Sequence, residues 1–288
     1  MATTASTSAA HDWSAVAAAW DENADYVDSH AAAATEALIE ALEVRAGDHV
    51  LELAAGPGVL GTTWSELTGP SGKVVLSDIA PGMVDVARRR TAHLNNAEVV
   101  LLDLASIDRT SDSFDAVACR MGLMFVTEPA TALGEMRRVL VPGGRLGALT
   151  WAGPEHNPWM TCVGMSAMMN GVVSGGPPVA PGGIFSLSDP TELASLAKDA
   201  GFVDVQVAEF PILFRIKSID EHVARVGSLA GPMAAAFADV GPGVLAAVRR
   251  TAAQLATEYA AGDGYALPGR ALLLSGRAAA PDCALQPS

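Results

Sequence analysis

Residues 48–61, Asp48-His-Val-Leu-Glu-Leu-Ala-Ala-Gly-Pro-Gly-Val-Leu-Gly61, decide how this chain is read. The apolar run from Val50 to Leu53 predicts a short strand that enters a glycine-rich turn, with an apolar helix after it. Glycine permits φ > 0 and close approach to the backbone, so such a turn can present N–H groups and a helix N-terminus to a ligand. A nucleotide-like cofactor is the expected occupant. The bland alternative is a tight strand-to-helix turn that holds nothing.

Two cofactor classes compete for this turn. Gly56-x-Gly58-x-x-Gly61, with Asp78 downstream, has the spacing of a dinucleotide fingerprint and by itself suggests NAD or FAD. The upstream residues point elsewhere. Glu52-x-Ala54-x-Gly56-x-Gly58 resembles the acidic-x-Gly-x-Gly-x-Gly signature of class I S-adenosylmethionine (SAM) methyltransferases, departing only at Ala54, where that family usually has glycine. Further strands follow in order: Lys73 to Ile79, with Asp78 at its end; Glu98 to Leu104, with Asp103 at its end; Ser113 to Arg120; and Arg145 to Trp151 after Pro142-Gly143-Gly144. Pro81-Gly-Met83 opens a helix between the second and third strands, with proline in its first turn. Arg120-Met-Gly-Leu-Met-Phe125 and Arg137-Arg-Val-Leu-Val-Pro-Gly-Gly144 are most similar to the ubiquinone/menaquinone C-methyltransferase-like branch, and the likeness covers roughly residues 12–152.

This resemblance implies SAM as cofactor and assigns roles. Asp78 would hold the ribose hydroxyls and Asp103 the adenine amino group. Glu52, Ala54, Gly56, Gly58, Ile79, Met83, Leu104 and Arg120 would complete the cofactor site, and Tyr26 could cap the SAM carboxylate. The physical pattern agrees, because alternating strands and long helices indicate a parallel sheet whose ligands bind beyond the carboxyl ends of its strands. Any one acid at such an end can be only a helix cap. Asp108, Asp112 and Asp115 read as solvated turn residues, and Trp20 as core.

The expected fold is α/β, a seven-stranded, mostly parallel Rossmann-like sheet with helices on both faces and helical insertions forming a substrate cap. Residues 1–10 are expected to be disordered and 277–288 to be a flexible tail, with the domain over 11–276. Cap insertions fall at 153–186, rich in Gly, Pro and Met, and at 218–262. Met160, Met165, Met168 and Met169 with Trp159 can line an apolar pocket, although 165, 168 and 169 also share one helical face, as in an ordinary core helix. Asp189-Pro-Thr-Glu192 and Ser218-Ile-Asp-Glu221 are helix starts, and the last strand, Tyr265 to Gly276, is antiparallel by resemblance.

At 288 residues the chain can bury a sizeable core. Half its residues are apolar, but glycines and prolines break the most apolar region, Val223 to Val248, below spanning length. Met1 to Ala10 lacks a basic region, so no secretory signal is expected. Cys119, Cys162 and Cys283 have no metal or redox spacing and fit a reduced, cytoplasmic protein, and the scattered histidines suggest no metal site. A formal charge of −14 argues against nucleic-acid substrates. An apolar small molecule remains as acceptor, with Met121, Phe125, Trp159 and Met160 as its expected walls; a homodimer is left open.

Methyl transfer from a sulfonium is an in-line displacement, so positioning can supply most of the catalysis and no base motif is required. If a base is used, His156, just after the fifth strand, is the best-placed candidate. Three other readings stay open: an NAD-dependent oxidoreductase, a SAM-fold enzyme with a non-methylating reaction such as cyclisation, and a non-enzymatic binding module.

Overall fold

Strand β1 (His49–Leu53) has four of its five residues buried, as expected of a strand covered on both faces of a parallel sheet. The structure is a computed structural model and describes residues 4–173 and 178–280. In chain order the further strands are β2 (Lys73–Asp78), β3 (Ala97–Leu101), β4 (Phe114–Arg120), β5 (Leu140–Trp151), β6 (Phe202–Ile216), the two-residue β7 (Ala260–Ala261) and β8 (Gly264–Ala278). Their order in the sheet is β3-β2-β1-β4-β5-β8-β6, with β7 paired only to β8. Val50 faces Val74 on one side and Ala116 on the other, both in parallel register. β8 is antiparallel to β5 and β6, as the resemblance implied. The order reverses between β1 and β4, and a parallel sheet opens its ligand crevice at such a switch point.

Eleven helices pack around the described sheet: α1 (Thr4–Ala15), α2 (Ala17–Glu22), α3 (Ala24–Leu42), α4 (Gly61–Thr68), α5 (Pro81–Thr91), α6 (Pro129–Val139), α7 (Pro158–Met169), α8 (Pro190–Asp199), α9 (Ile219–Leu229), α10 (Gly231–Ala238) and α11 (Pro242–Leu255). The fully buried Leu38 and Leu42 of α3 lie against Gly147 of β5. A Cβ at Gly147 would sit 2.6 Å from Leu38 Cδ1, so the missing side chain sets how closely helix and sheet approach. Truncating Leu38 to alanine would cost about 2–5 kcal/mol.

The two helix starts read from sequence are present. The Asp189 carboxylate accepts the N–H groups of Thr191 and Glu192 at the start of α8, and Ser218 Oγ accepts that of Glu221 at the start of α9. Other boundaries move. Residues 4–10, expected to be disordered, are part of α1. β8 runs on through Ala278 because it pairs with Phe202, past the expected domain end at Gly276; residues 281–288 lie outside the described residues. Pro142-Gly143-Gly144 is not a turn before β5 but a bulge inside it, since Leu140 pairs with Phe114 and Arg145 with Ala116. Asp115 is a half-buried residue of β4 whose carboxylate accepts the His49 N–H at 2.8 Å, so it is no solvated turn residue. The segment 218–262 holds α9, α10 and α11; the segment 153–186 holds α7, and its residues 174–177 lie outside the described residues.

Candidate active site

A cavity of about 1460 Å³ lies over the carboxyl ends of β1, β2 and β4. Pockets for a single drug-sized ligand measure about 300–1000 Å³, so this space admits a cofactor and a second molecule together. Its floor is the glycine turn. Ala54 has φ 51°, and Met121, at the end of the neighbouring strand β4, has φ 60°. Each such non-glycine residue stores strain of order 1–3 kcal/mol, which surrounding structure holds in place at functional sites. Gly56 and Gly58 also have positive φ, and a Cβ at Gly58 would come 2.9 Å from that of Ala87.

Asp78 ends β2 on the cavity wall. One carboxylate oxygen accepts the N–H of Ala80 and the other that of Gly56, each at 2.9 Å. A carboxylate has about four lone-pair directions, so capacity remains for ligand hydroxyls. Burial raises its pKa while the backbone donors oppose that rise. Asp103 also lines the cavity, two residues beyond β3 rather than at its end, and its carboxylate accepts the Ala105 N–H. Ala54, Gly56, Ile79, Met83, Leu104 and Arg120 line the same space. Arg120 is held by Asp28 of α3 at 2.6 Å, a partner not evident from the sequence.

Three expected contacts fall elsewhere. Glu52 does not line the cavity: its side chain is buried behind the turn and accepts the Trp64 Nε1–H at 2.9 Å, tying β1 to α4. Burial pushes this carboxyl up to about 7, against the attraction of Arg120. Gly58 does not line the cavity either, and its role is to let the turn pass Ala87. His156, the candidate base, is exposed in a 3-10 turn (Pro154–His156), 3.5 Å from Glu155 and off the cavity wall.

The far end of the cavity is apolar. Trp159 stacks on Phe214 with centroids 4.4 Å apart and tilts against Trp151 at 4.9 Å, and all three rings line the cavity. Met121, Phe125 and Met160 line it too. Met165 and Met168 line it while staying about half exposed, at 50% and 48%, so these methionines border a pocket rather than fill a core. Trp20 also lines it, and its Nε1–H donates to Leu229 O across the top. Tyr26 is on the wall with a buried hydroxyl that has no hydrogen-bond partner among the described residues, and the Arg225 guanidinium sits 3.9 Å above its ring. Burial raises the phenol pKa, opposed by the Arg225 charge.

Sequence reasoning missed His222 and Arg225, both on α9 and both lining the cavity. The capping box fixed where that helix starts, but which of its residues face inward is set by packing against distant elements. Among the described residues no cluster of His, Cys, Asp or Glu could hold a metal ion. No described helix is long and apolar enough to cross a membrane.

The comparisons with known proteins converge on this geometry. Residues 50–144 match a family model described as a methyltransferase domain. A ubiquinone/menaquinone biosynthesis C-methyltransferase, UbiE of Hahella chejuensis, is 43% identical over 116 residues, 39% of this chain and 47% of the relative. The chain thus spans about half the length of the curated relatives it matches first. Among solved structures, YcgJ of Bacillus subtilis superposes with a TM-score of 0.58 at 17% identity, over 85% of this chain and 98% of that one. Phosphoethanolamine N-methyltransferase 2 of Haemonchus contortus, solved with SAM, gives 0.53 at 14% identity, over 84% and 51%. These structures share the fold. Over residues 50–144 the chain is thus similar to methyltransferase domains. Over 116 residues it is also similar to an enzyme of the UbiE type, the likeness that the sequence around Arg120 and Arg137 had indicated.

Proposed function

We propose that this protein transfers a methyl group from SAM to an apolar small molecule. The observation that carries the reading is one continuous cavity with two chemically different ends. The strand-end side offers Asp78, Asp103 and a strained backbone turn; the cap side offers tryptophan, phenylalanine and methionine. The residues present fit the cofactor: Asp78 would take the ribose hydroxyls, Asp103 the adenine amino group, and Tyr26 the SAM carboxylate through its unpartnered hydroxyl. When bound, SAM supplies an electrophilic methyl group on a sulfonium. The chain's own part is to orient an acceptor against it and to exclude water with the cap, and a dry site favours loss of that positive charge.

The acidic balance of the chain supports a small molecule over a nucleic acid as acceptor. We further read the protein as cytoplasmic, in keeping with thiols at Cys119 and Cys162 that are buried and unpaired. The deciding experiment incubates the protein with SAM and a panel of apolar metabolites, with mass detection of one added methyl group and of S-adenosylhomocysteine. Product without S-adenosylhomocysteine release would indicate a non-methylating reaction on the same fold. Tighter binding of NAD than of S-adenosylhomocysteine would overturn the reading.

A further inference from the structure

Three carboxyl groups and one guanidinium meet around the glycine turn. Arg120, at the end of β4, lines the cavity and donates to Asp28 of α3 at 2.6 Å and to Thr35 Oγ1 at 3.4 Å. Asp78 of β2 lines the same cavity, its oxygens on the Ala80 and Gly56 N–H groups. Glu52 of β1 sits behind the turn, 2% exposed, and takes a hydrogen bond from the neutral indole of Trp64 on α4. Each element around Glu52 bears on its charge. Arg120 favours the carboxylate, though it is paired with Asp28, whereas Asp28 and Asp78 oppose it. The buried Cys119 thiol of β4 is pushed up to about 12 by burial and adds no charge.

With every carboxyl ionised, this cluster sets three negative charges against one positive, where water screens them poorly. A proton on Glu52, the most buried of the three acids, reduces the imbalance. Burial pushes that carboxyl up to about 7, so its proton exchanges near neutrality. A positive ligand in the cavity reduces the imbalance in a second way. SAM carries a sulfonium, whereas S-adenosylhomocysteine carries an uncharged thioether. Contacts to the ribose, the adenine and the amino-acid end are common to both, so they do not tell one from the other. We propose that Glu52 distinguishes SAM from its product by charge, without touching either, ionising as the sulfonium enters and regaining its proton once that charge is lost. The proton goes to solvent in the first step and returns from it in the second. The proposal rests on the SAM reading of the cavity. Its sign follows from linkage: a nearby cation favours the ionised carboxyl, so SAM binds more tightly as pH rises through about 7, and the neutral product gains little.

The test titrates SAM and S-adenosylhomocysteine into the full chain by calorimetry at pH 6 and pH 8, for wild type and E52Q. Repeating each titration in two buffers of different ionisation enthalpy counts the protons released. The glutamine keeps an oxygen for the Trp64 indole but cannot ionise. The ligands' own titrations are common to both proteins, so the difference isolates residue 52. Between the two pH values, the ratio of SAM affinity to S-adenosylhomocysteine affinity should rise roughly fivefold more in wild type than in E52Q. Near pH 7, SAM should release more protons on binding wild type than on binding E52Q. Infrared difference spectra need no variant: the carbonyl stretch of a protonated, buried carboxyl should be lost from wild type with SAM and kept with S-adenosylhomocysteine. An affinity ratio with the same pH dependence in both proteins, or a carboxyl band that SAM leaves unchanged, overturns the proposal and leaves the cofactor reading standing. Failure of both ligands to bind wild type overturns the cofactor reading, and the proposal with it.

Discussion

The Asp78 carboxylate accepts the backbone N–H of Gly56 at 2.9 Å, joining the end of β2 to the turn that follows β1. One acid thus braces the cofactor turn and faces the cavity beside it. Asp78→Ala should weaken S-adenosylhomocysteine binding by about 1.5–3 kcal/mol, the range for hydrogen bonds to a charged group. Asp108→Ala, at an exposed turn, should leave it unchanged. Calorimetry on both variants checks this, and equal affinities would remove Asp78 from the ribose site.

Glu52 gives a pH prediction with a definite sign. Its folded pKa is raised to about 7 from 4.5, chiefly by burial. A carboxyl raised on folding favours the native state while protonated, and that contribution is lost as pH climbs from about 4.5 through about 7. Glu52→Gln keeps an oxygen for the Trp64 indole and cannot ionise. Over that pH range the wild type should lose stability relative to the variant by on the order of 3 kcal/mol. Denaturant melts at pH 5 and pH 8 measure it; parallel pH profiles for the two proteins would show that Glu52 ionises freely in the native state.

Two glycines should respond oppositely to alanine. Gly58 has φ 74° and would place its Cβ 2.9 Å from that of Ala87, so Gly58→Ala should destabilise by about 2–4 kcal/mol through strain and overpacking. Gly134 lies inside α6 with nothing within 4 Å of its would-be Cβ. There alanine should stabilise by about 0.5–1 kcal/mol, because it restricts the unfolded chain and favours helix. Thermal melts of the two variants separate steric cost from helix propensity.

His156→Ala should leave methyl transfer and S-adenosylhomocysteine affinity at wild-type levels, because the imidazole is exposed beside Glu155 and off the cavity wall. A fall in kcat alone would restore it as a candidate base. The sequence placed this residue correctly along the chain, just after β5, but could not say which way a short 3-10 turn would aim it.

Similar physics decides what else was readable. The succession of strands along the chain, the glycine turn and Asp78 at the end of β2 follow from local pattern, since glycine, apolar runs and helix starts are short-range signals. Whether Glu52 faces ligand or core is not local: in a strand buried on both faces the period-2 alternation carries no polar mark, and the partner that claims it, Trp64, is a helix away. Asp28 and Arg120 are 92 positions apart, and His222 and Trp159 63, so those pairings exist only once the sheet has formed. The methionines of α7 were ambiguous for a related reason. A helical face reads the same from sequence whether it meets a core or a cavity mouth.

Besides the packing of Gly231 against the Trp13 ring, the cap meets the N-terminal helices through polar and cation–π contacts: Trp20 Nε1 donates to Leu229 O at 2.9 Å, Arg225 Nε donates to Asn23 Oδ1 at 3.2 Å, and the Arg225 guanidinium covers the Tyr26 ring. Glu221, one turn earlier on α9, holds the same guanidinium at 2.7 Å. One side chain therefore links three elements above the cavity, and its loss should loosen the cap without touching the fold beneath. Arg225→Ala should increase cleavage by a nonspecific protease within 153–186 and 218–262, while the sheet strands stay protected. A destabilisation of about 1–3 kcal/mol confined to these segments is the expected scale, for a partly buried charge-assisted bond and a cation–π contact. S-adenosylhomocysteine should slow cleavage of the wild type in both segments, because a filled cavity holds the walls that line it. Identical cleavage patterns in wild type and variant, with and without ligands, would show that the cap is rigid and that the acceptor enters past Met165 and Met168 without its opening.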